Sequence, residues 1–247
     1  MISNEALQAL ATKLQTTELN VRREYFQHLF LSYFYQQPLT DRIYFKGGSA
    51  LRMLYHSPRF SEDLDFSSSV NDIQAIEEAI LGTLAAVARE NINPDIAESK
   101  TTTGGYLAIV TLRTDHDAVA IQLEISLREG EKPVLSLVEG RGEAVMIASA
   151  FIPAYMVVAL MREQLVDEKI QALLSRRKAR DFYDLYFILR ANLLPAQRRD
   201  VLSPAVETLR QSRIDFEKEL KEFLPKSHWA IIRDFPAILE REIERYL

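Results

Sequence analysis

At 247 residues, 47% of them hydrophobic and 26% charged, the chain has the size and balance of a globular protein with one large domain or two small ones. Its net charge of −5, from 30 basic against 35 acidic residues, argues against a protein that coats nucleic acid but not against an enzyme with a local basic groove. With no cysteine, disulfides and thiolate metal sites are excluded, and the four dispersed histidines (His28, His56, His116, His228) speak against zinc.

The N-terminal stretch MISNEALQALATKLQ lacks the apolar core of a signal peptide, and no window has the apolar length of a membrane span. A soluble, cytoplasmic protein without membrane contact is expected. Residues 1–37 read as helices, the second opening at Thr17-Glu18. Val21, Tyr25, Leu29 and Tyr33, with Phe26, Phe30 and Phe34, recur at helical spacing and form a broad apolar face. Packing against a core accounts for these rings better than base stacking does. Pro38 ends the helix.

The stretch 42–66, RIYFKGGSALRMLYHSPRFSEDLDF, carries the chemistry. Ile43, Tyr44 and Phe45 read as a short strand, Lys46-Gly47-Gly48-Ser49 breaks it, and Ala50 to Tyr55 has helix-forming composition. Pro58 stops that helix, because proline disfavours helix at the residue before it. Residues 61–66 then alternate like a strand. Two adjacent glycines let backbone N–H groups approach an anion closely. Ser49 stands where the helix begins, and helix N-termini attract phosphate. Asp63 and Asp65, two apart, share one strand face. Carboxylates that close repel unless a cation lies between them, and hard oxygen donors suit Mg²⁺ taken together with substrate phosphates. A phosphate cradle followed by a carboxylate pair is the layout for metal-assisted transfer of a nucleotide.

Farther on, 73–89 reads as a helix with Ile73, Ile76, Ile80, Leu84 and Val87 on one stripe. Residues 91–105, polar and broken by Pro94 and Gly104-Gly105, read as loop with at most a short strand. Residues 106–113 and 118–127 alternate like a hairpin around Asp115-His116-Asp117. Glu124 stands on the polar face of the second strand, opposite Val119, Ile121, Leu123 and Ile125. It is either an exposed charge on a half-buried strand or a further metal carboxylate. Residues 131–142 read as connection. Strand-like alternation stops near Ala144, and helical patterning begins, with a helix expected over 154–174. Arg176, Arg177, Lys178 and Arg180 form a cationic cluster. Asp181 and Asp184, three apart, share a helix face, and Asp181 can start or cap that helix. The remainder reads as helical, with Ser203-Pro204 and Asp234-Phe235-Pro236 as helix starts.

Gly47-Gly48-Ser49 followed by Ser61-x-Asp63-x-Asp65 resembles the signature of the polymerase-β-type nucleotidyltransferases. The fuller pattern, 46–51 with 59–66, resembles the AbiEii/AbiGii nucleotidyltransferase family, the toxin half of type IV toxin–antitoxin and phage-defence systems. A second block, Glu168-Lys169-x-x-Ala172-Leu173-x-x-Arg176-x-x-x-Arg180-Asp181-x-x-Asp184-Leu185, resembles that family's second motif in the right order. The resemblance runs from about Tyr44 to Leu189.

The resemblance implies an α+β fold: a nucleotidyltransferase core with a small mixed sheet and flanking helices, then a helical C-terminal lobe. With the shift near Ala144, the expected domains are 1–145 and 146–247. It implies transfer of a nucleoside monophosphate from an NTP to an acceptor, an RNA such as a tRNA 3′ end, and a cognate antitoxin encoded separately. Gly47, Gly48 and Ser49 would hold the triphosphate. Asp63, Asp65 and, on the functional reading, Glu124 would bind two Mg²⁺ ions. Lys169 would contact the phosphates, while Arg180, Asp181 and Asp184 play supporting parts, Asp181 and Asp184 either by positioning Lys169 or Arg180 or in a purely structural role. Two alternatives are a protein-modifying nucleotidyltransferase and a catalytically silent NTP-binding module. Read as surface-site charges, Asp65 and Lys169 are expected to abolish transfer when replaced by alanine and to leave thermal stability near wild type.

Overall fold

Two helices open the chain, α1 (Asn4–Leu14) and α2 (Glu18–Phe34). The structure is a computed structural model that describes residues 2–115, 117–127 and 142–247. His116 of the expected hairpin turn and residues 131–141 of the expected connection lie outside the described residues. After α2 come β1 (Ile43–Lys46), α3 (Gly47–Tyr55), β2 (Asp63–Ser68) and α4 (Ile73–Ala88). The strands β3 (Asn93–Thr102), β4 (Gly105–Arg113), β5 (Ala118–Ser126), β6 (Gly142–Ile147) and β7 (Tyr155–Leu160) follow. The chain ends in α5 (Arg162–Arg176), α6 (Ala179–Arg190), α7 (Leu202–Gln211), α8 (Phe216–Leu220), α9 (Trp229–Arg233) and α10 (Phe235–Glu244). Among the described residues no helix is long and apolar enough to cross a membrane. The fold is mixed α and β, as the sequence led us to expect.

The chain divides into two compact units. One holds the residues up to Lys13, Thr17–His56 and Phe60–Leu160; the other holds Leu14–Thr16, Ser57–Arg59 and Met161–Leu247. The first unit is built on a seven-stranded mixed sheet in the order β3-β4-β5-β2-β1-β7-β6. β1 runs antiparallel to β2 and parallel to β7, and β2 runs parallel to β5. Parallel neighbours need crossover connections, and the helices supply them. The helix starts are legible in the sequence. Thr17 accepts a hydrogen bond from the Asn20 N–H at 3.2 Å, and Asp72 from the Gln74 N–H at 3.0 Å, each covering orphan donors of a first turn.

α2 is buried on more of its circumference than an apolar stripe implies. Val21, Phe26, Phe30, Leu31 and Phe34 are buried, and so are Asn20, Glu24, Gln27 and His28. Glu24 pairs with Arg52, whose guanidinium also lies 3.5 Å over the Phe60 ring. At the next residue beyond α2, the Tyr35 hydroxyl donates to the carbonyls of Ile43 at 2.8 Å and Val158 at 3.0 Å, tying β1 to β7.

Two stretches depart from the sequence expectations. Residues 93–102 form a full ten-residue strand, not a loop. β3 lies at the sheet edge, where only one neighbour and one weakly buried face leave little alternation to read, and its pairing with β4 slips between Ile96 and Glu98. Residues 155–160 form a strand and not the first turns of a helix, which starts only at Arg162. Tyr155-Met156-Val157-Val158 is β-branched and aromatic, and a place between β1 and β6 decides in favour of the strand.

His28 gives this unit an acid-sensitive point. Its Nδ1 lies 2.7 Å from the Tyr155 hydroxyl, and its ring packs edge-on to Tyr155 and beside Phe151. Burial, aided by the Arg52 charge, pushes its pKa down to about 4. The folded state therefore keeps His28 neutral where the unfolded chain takes up a proton. That contribution is complete above about pH 6.5 and is lost as pH falls to 4, about 3 kcal/mol in all. Denaturant titrations at pH 7 and pH 4.5 are expected to show a smaller acid loss in His28→Gln than in wild type. Equal losses would remove His28 as the cause.

In the second unit an aromatic cluster joins three helices. The Phe216 and Phe235 ring centroids lie 5.0 Å apart, Phe182 and Phe216 5.6 Å, and Tyr183 and Phe235 5.9 Å. These side chains from α6, α8 and α10 are buried.

Candidate active site

At the end of β1 the chain turns directly into α3, which begins at Gly47 with Lys46 as its N-cap. Gly47 has φ +81°, a left-handed conformation that side chains strain. A Cβ there would lie 1.9 Å from Asp65 Oδ2, so glycine is required twice over: for its backbone angle and for the space the carboxylate occupies. In a helix that begins at Gly47, the N–H groups of the first turn have no intrahelical acceptor and face outward as donors. Gly47→Ala is expected to cost more than about 1 kcal/mol in stability from backbone strain alone. It should also displace the Asp65 carboxylate, reducing transfer further than its fall in melting temperature explains.

The approach to β2 is held from behind. Gln27 Nε2 donates to the carbonyls of Ser61 at 3.0 Å and Glu62 at 3.1 Å. The Ser49 hydroxyl donates to the carbonyl of Asp63. Three consecutive carbonyls are thus pinned by side chains of α2 and α3, which fixes where Asp63 and Asp65 emerge. Ser49 is itself buried, so its hydroxyl serves this tether, and the group it can offer an anion is its backbone N–H.

Along β2, Leu64, Phe66 and Ser68 are buried while Asp63, Asp65 and Ser67 occupy the other, half-buried face. The parallel register places Asp65 beside Glu124 and Asp63 beside Gln122. Glu124 lies on the more open face of β5, and its Oε1 accepts from Gln122 Nε2 at 2.6 Å. The donors are all carboxylate oxygens, a set suited to a hard divalent cation, and the Asp65 carboxylate occupies the space that a Cβ on residue 47 would fill. Among the described residues, however, no three His, Cys, Asp or Glu side chains are gathered into a ready metal site. The strand register pairs Asp65 with Glu124, Asp63 shares the strand face of Asp65, and an ion would have to draw the three together.

The other expected residues lie in the second unit. Lys169 on α5 is not a surface charge. It is buried, and its ammonium donates to Asp184 Oδ2 at 2.7 Å. Asp184, buried on α6, also accepts from Arg59 Nε at 2.9 Å and Nη2 at 3.0 Å. Burial pushes the Asp184 carboxyl up, but Arg59 and Lys169 outweigh it and hold its pKa down at about 2. Asp181 sits in the first turn of α6, where it accepts from the Lys178 N–H at 3.1 Å and grips Arg176 through Nε and Nη2. Its partner is therefore Arg176. Arg180, in the same first turn, is half-buried.

The expectation that Lys169→Ala would leave stability unchanged is corrected by this burial. Removing Lys169 breaks an ion pair held away from water, where each partner depends on the other. Sequence reasoning also passed over Arg59 and Gln27. Arg59 stands inside the quoted motif, yet its partner is far along the chain. Gln27 is a polar residue within an aromatic helix face, and that contrast was the available signal.

None of the curated proteins matches the chain significantly. Two solved structures share its fold. One, described as a candidate nucleotidyltransferase from H. pylori, has a TM-score of 0.60 at 18% identity and covers 94% of this chain and 99% of its own. The other, JHP933 from Helicobacter pylori, has a TM-score of 0.59 at 19% identity and covers 93% of this chain and 95% of its own. At such identities the likeness is one of fold. The family assignment comes from the sequence: the model of the nucleotidyl transferase AbiEii toxin, type IV toxin–antitoxin system, matches residues 29–244. That match spans the glycine turn, both β2 carboxylates and the α5–α6 charge cluster, and on it the chain belongs to the AbiEii family of nucleotidyltransferase toxins of type IV toxin–antitoxin systems.

Proposed function

We propose that this nucleotidyltransferase moves a nucleoside monophosphate from an NTP to a hydroxyl of RNA, a tRNA 3′ end being the acceptor, with Mg²⁺ as cofactor. In the cell it would act in the cytoplasm as a toxin of phage defence, restrained by a separately encoded antitoxin. The observation that carries the chemistry is the register of β2 with β5. It pairs Asp65 with Glu124, with Asp63 on the same face of β2, against a glycine whose missing Cβ makes room for Asp65.

In this reading the free N–H groups of Gly47, Gly48 and Ser49 hold the triphosphate anion. Asp63 and Asp65 hold Mg²⁺, with Glu124 completing the set. Bound there, Mg²⁺ supplies Lewis-acid stabilisation of phosphate charge and lowers the pKa of the attacking hydroxyl. The acceptor oxygen bonds to the α-phosphorus, the bond to the β-phosphate oxygen breaks, and pyrophosphate leaves with the electron pair. Glu124 takes the hydroxyl proton. Lys169, held by Asp184, offsets the negative charge that spreads over the phosphates. Arg180 and the neighbouring cations of the α5–α6 turn meet RNA phosphates.

The test is incubation with each α-³²P-labelled NTP, Mg²⁺ and total cellular RNA, beside an Asp65→Ala control. Label on a discrete RNA band, absent in the control, is the expected result. Label on protein would replace the RNA acceptor by a side chain. No label on either, with NTP binding intact, would overturn the transferase reading in favour of a binding module.

A further inference from the structure

The Arg59–Asp184–Lys169 cluster sets two cations on one carboxylate. All three side chains are buried, at 4%, 1% and 8% exposure. Asp184 is ionised at any pH well above its depressed pKa of about 2, so the trio carries one excess positive charge at neutral pH. Asp181 also attracts Arg59, but Arg176 is paired with Asp181, so the two together leave that excess unchanged. A Lys–Asp pair alone would have been neutral, and burying an excess charge costs free energy unless an anion meets it. Arg59 engages both Asp184 oxygens through a two-pronged contact, the stronger geometry, while Lys169 holds one oxygen by a single bond.

We infer that Arg59 is a positioning residue: its charge offsets Asp184, so that Lys169, while bonded to Asp184, belongs to a cluster with one net positive charge to hold the triphosphate of the nucleotide. This rests on the reading of Lys169 as a phosphate contact. It assigns Arg59 to nucleotide affinity although Arg59 itself faces the carboxylate. Arg59 lies four residues before Asp63 in the chain, so one short segment carries both the metal carboxylates and the residue that tunes the lysine.

The inference is tested by calorimetric binding of inorganic tripolyphosphate to the full chain, with melting curves to establish folding of each variant. Arg59→Gln, which makes the cluster neutral, is expected to weaken binding at least about tenfold. Arg59→Lys, which gives up the two-pronged contact but keeps the charge, should stay within about threefold of wild type. The double variant Arg59→Gln/Asp184→Asn restores one net positive charge and should regain most of the lost affinity. It should not regain transfer, because Asp184 no longer holds Lys169. A merely structural Arg59 predicts the opposite: a double variant no better than Arg59→Gln.

Wild-type affinity in Arg59→Gln, or no recovery in the double variant, would overturn the inference. So would wild-type protein that fails to bind tripolyphosphate. If Arg59→Gln does not fold, a tenfold loss in Arg59→Lys overturns it instead. Affinities in the expected order, with no labelled product from wild type, would overturn the transferase reading and leave this inference standing.

Discussion

Asp65→Ala is expected to lower nucleotidyl transfer by at least about 10³-fold while the protein melts within a few degrees of wild type. The two halves of this result have separate causes. Asp65 is half-buried on the face of β2 that also carries Asp63, and the β5 register sets Glu124 beside it. In the absence of a cation these carboxylates repel one another, so removing one relieves repulsion and costs the fold little. Activity depends on the same carboxylate for the opposite reason, because its charge is what a divalent ion needs. Single-turnover labelling and a melting curve on one preparation check both halves. A variant that retains transfer removes Asp65 from the site. A variant that unfolds makes the carboxylate structural.

Asp184→Ala is expected to be the most destabilising single change in the charge clusters, at about 3–5 kcal/mol, or roughly ten degrees in melting temperature. Asp184 is 1% exposed and accepts from both Arg59 and Lys169. Its removal leaves two buried cations facing each other with no anion between them. Asp184→Asn should lose less, since the amide oxygen still accepts a hydrogen bond. Lys169→Ala should lose less again, because Arg59 continues to satisfy the carboxylate with two bonds. Transfer should fall in all three. Equal melting temperatures for wild type and Asp184→Ala would show that the cluster is solvated and its charges independent.

The central motif was legible because its physics is local. Gly47 needs a positive φ, Asp63 and Asp65 need only a strand to share a face, and helix α4 announces itself with Asp72 at its N-cap. The strand β7 was not legible. Its residues 155–160 are apolar without alternation, and periodicity alone does not separate such a run from a buried helix. The edge strand β3 failed in the opposite way, being too polar and exposed to show a buried face. The burial of Lys169 is not legible either, since its acidic neighbours Asp167 and Glu168 suggest solvent and its partner is fifteen residues on.

What the sequence by itself determined was the family, the mixed α and β character, and the residues of the carboxylate and glycine motifs. Those depend on spacings within one turn of helix or one strand, which a linear chain expresses directly. Only the tertiary structure decided which charges answer which. Glu124 meets Asp65 through a parallel pairing between strands separated by β3 and β4 in the chain. Arg59 reaches Asp184 across 125 residues, and Gln27 holds carbonyls 34 and 35 residues away. Such contacts follow from burial: a charge or amide taken out of water must find a partner wherever the fold places one, and no local pattern records where that is.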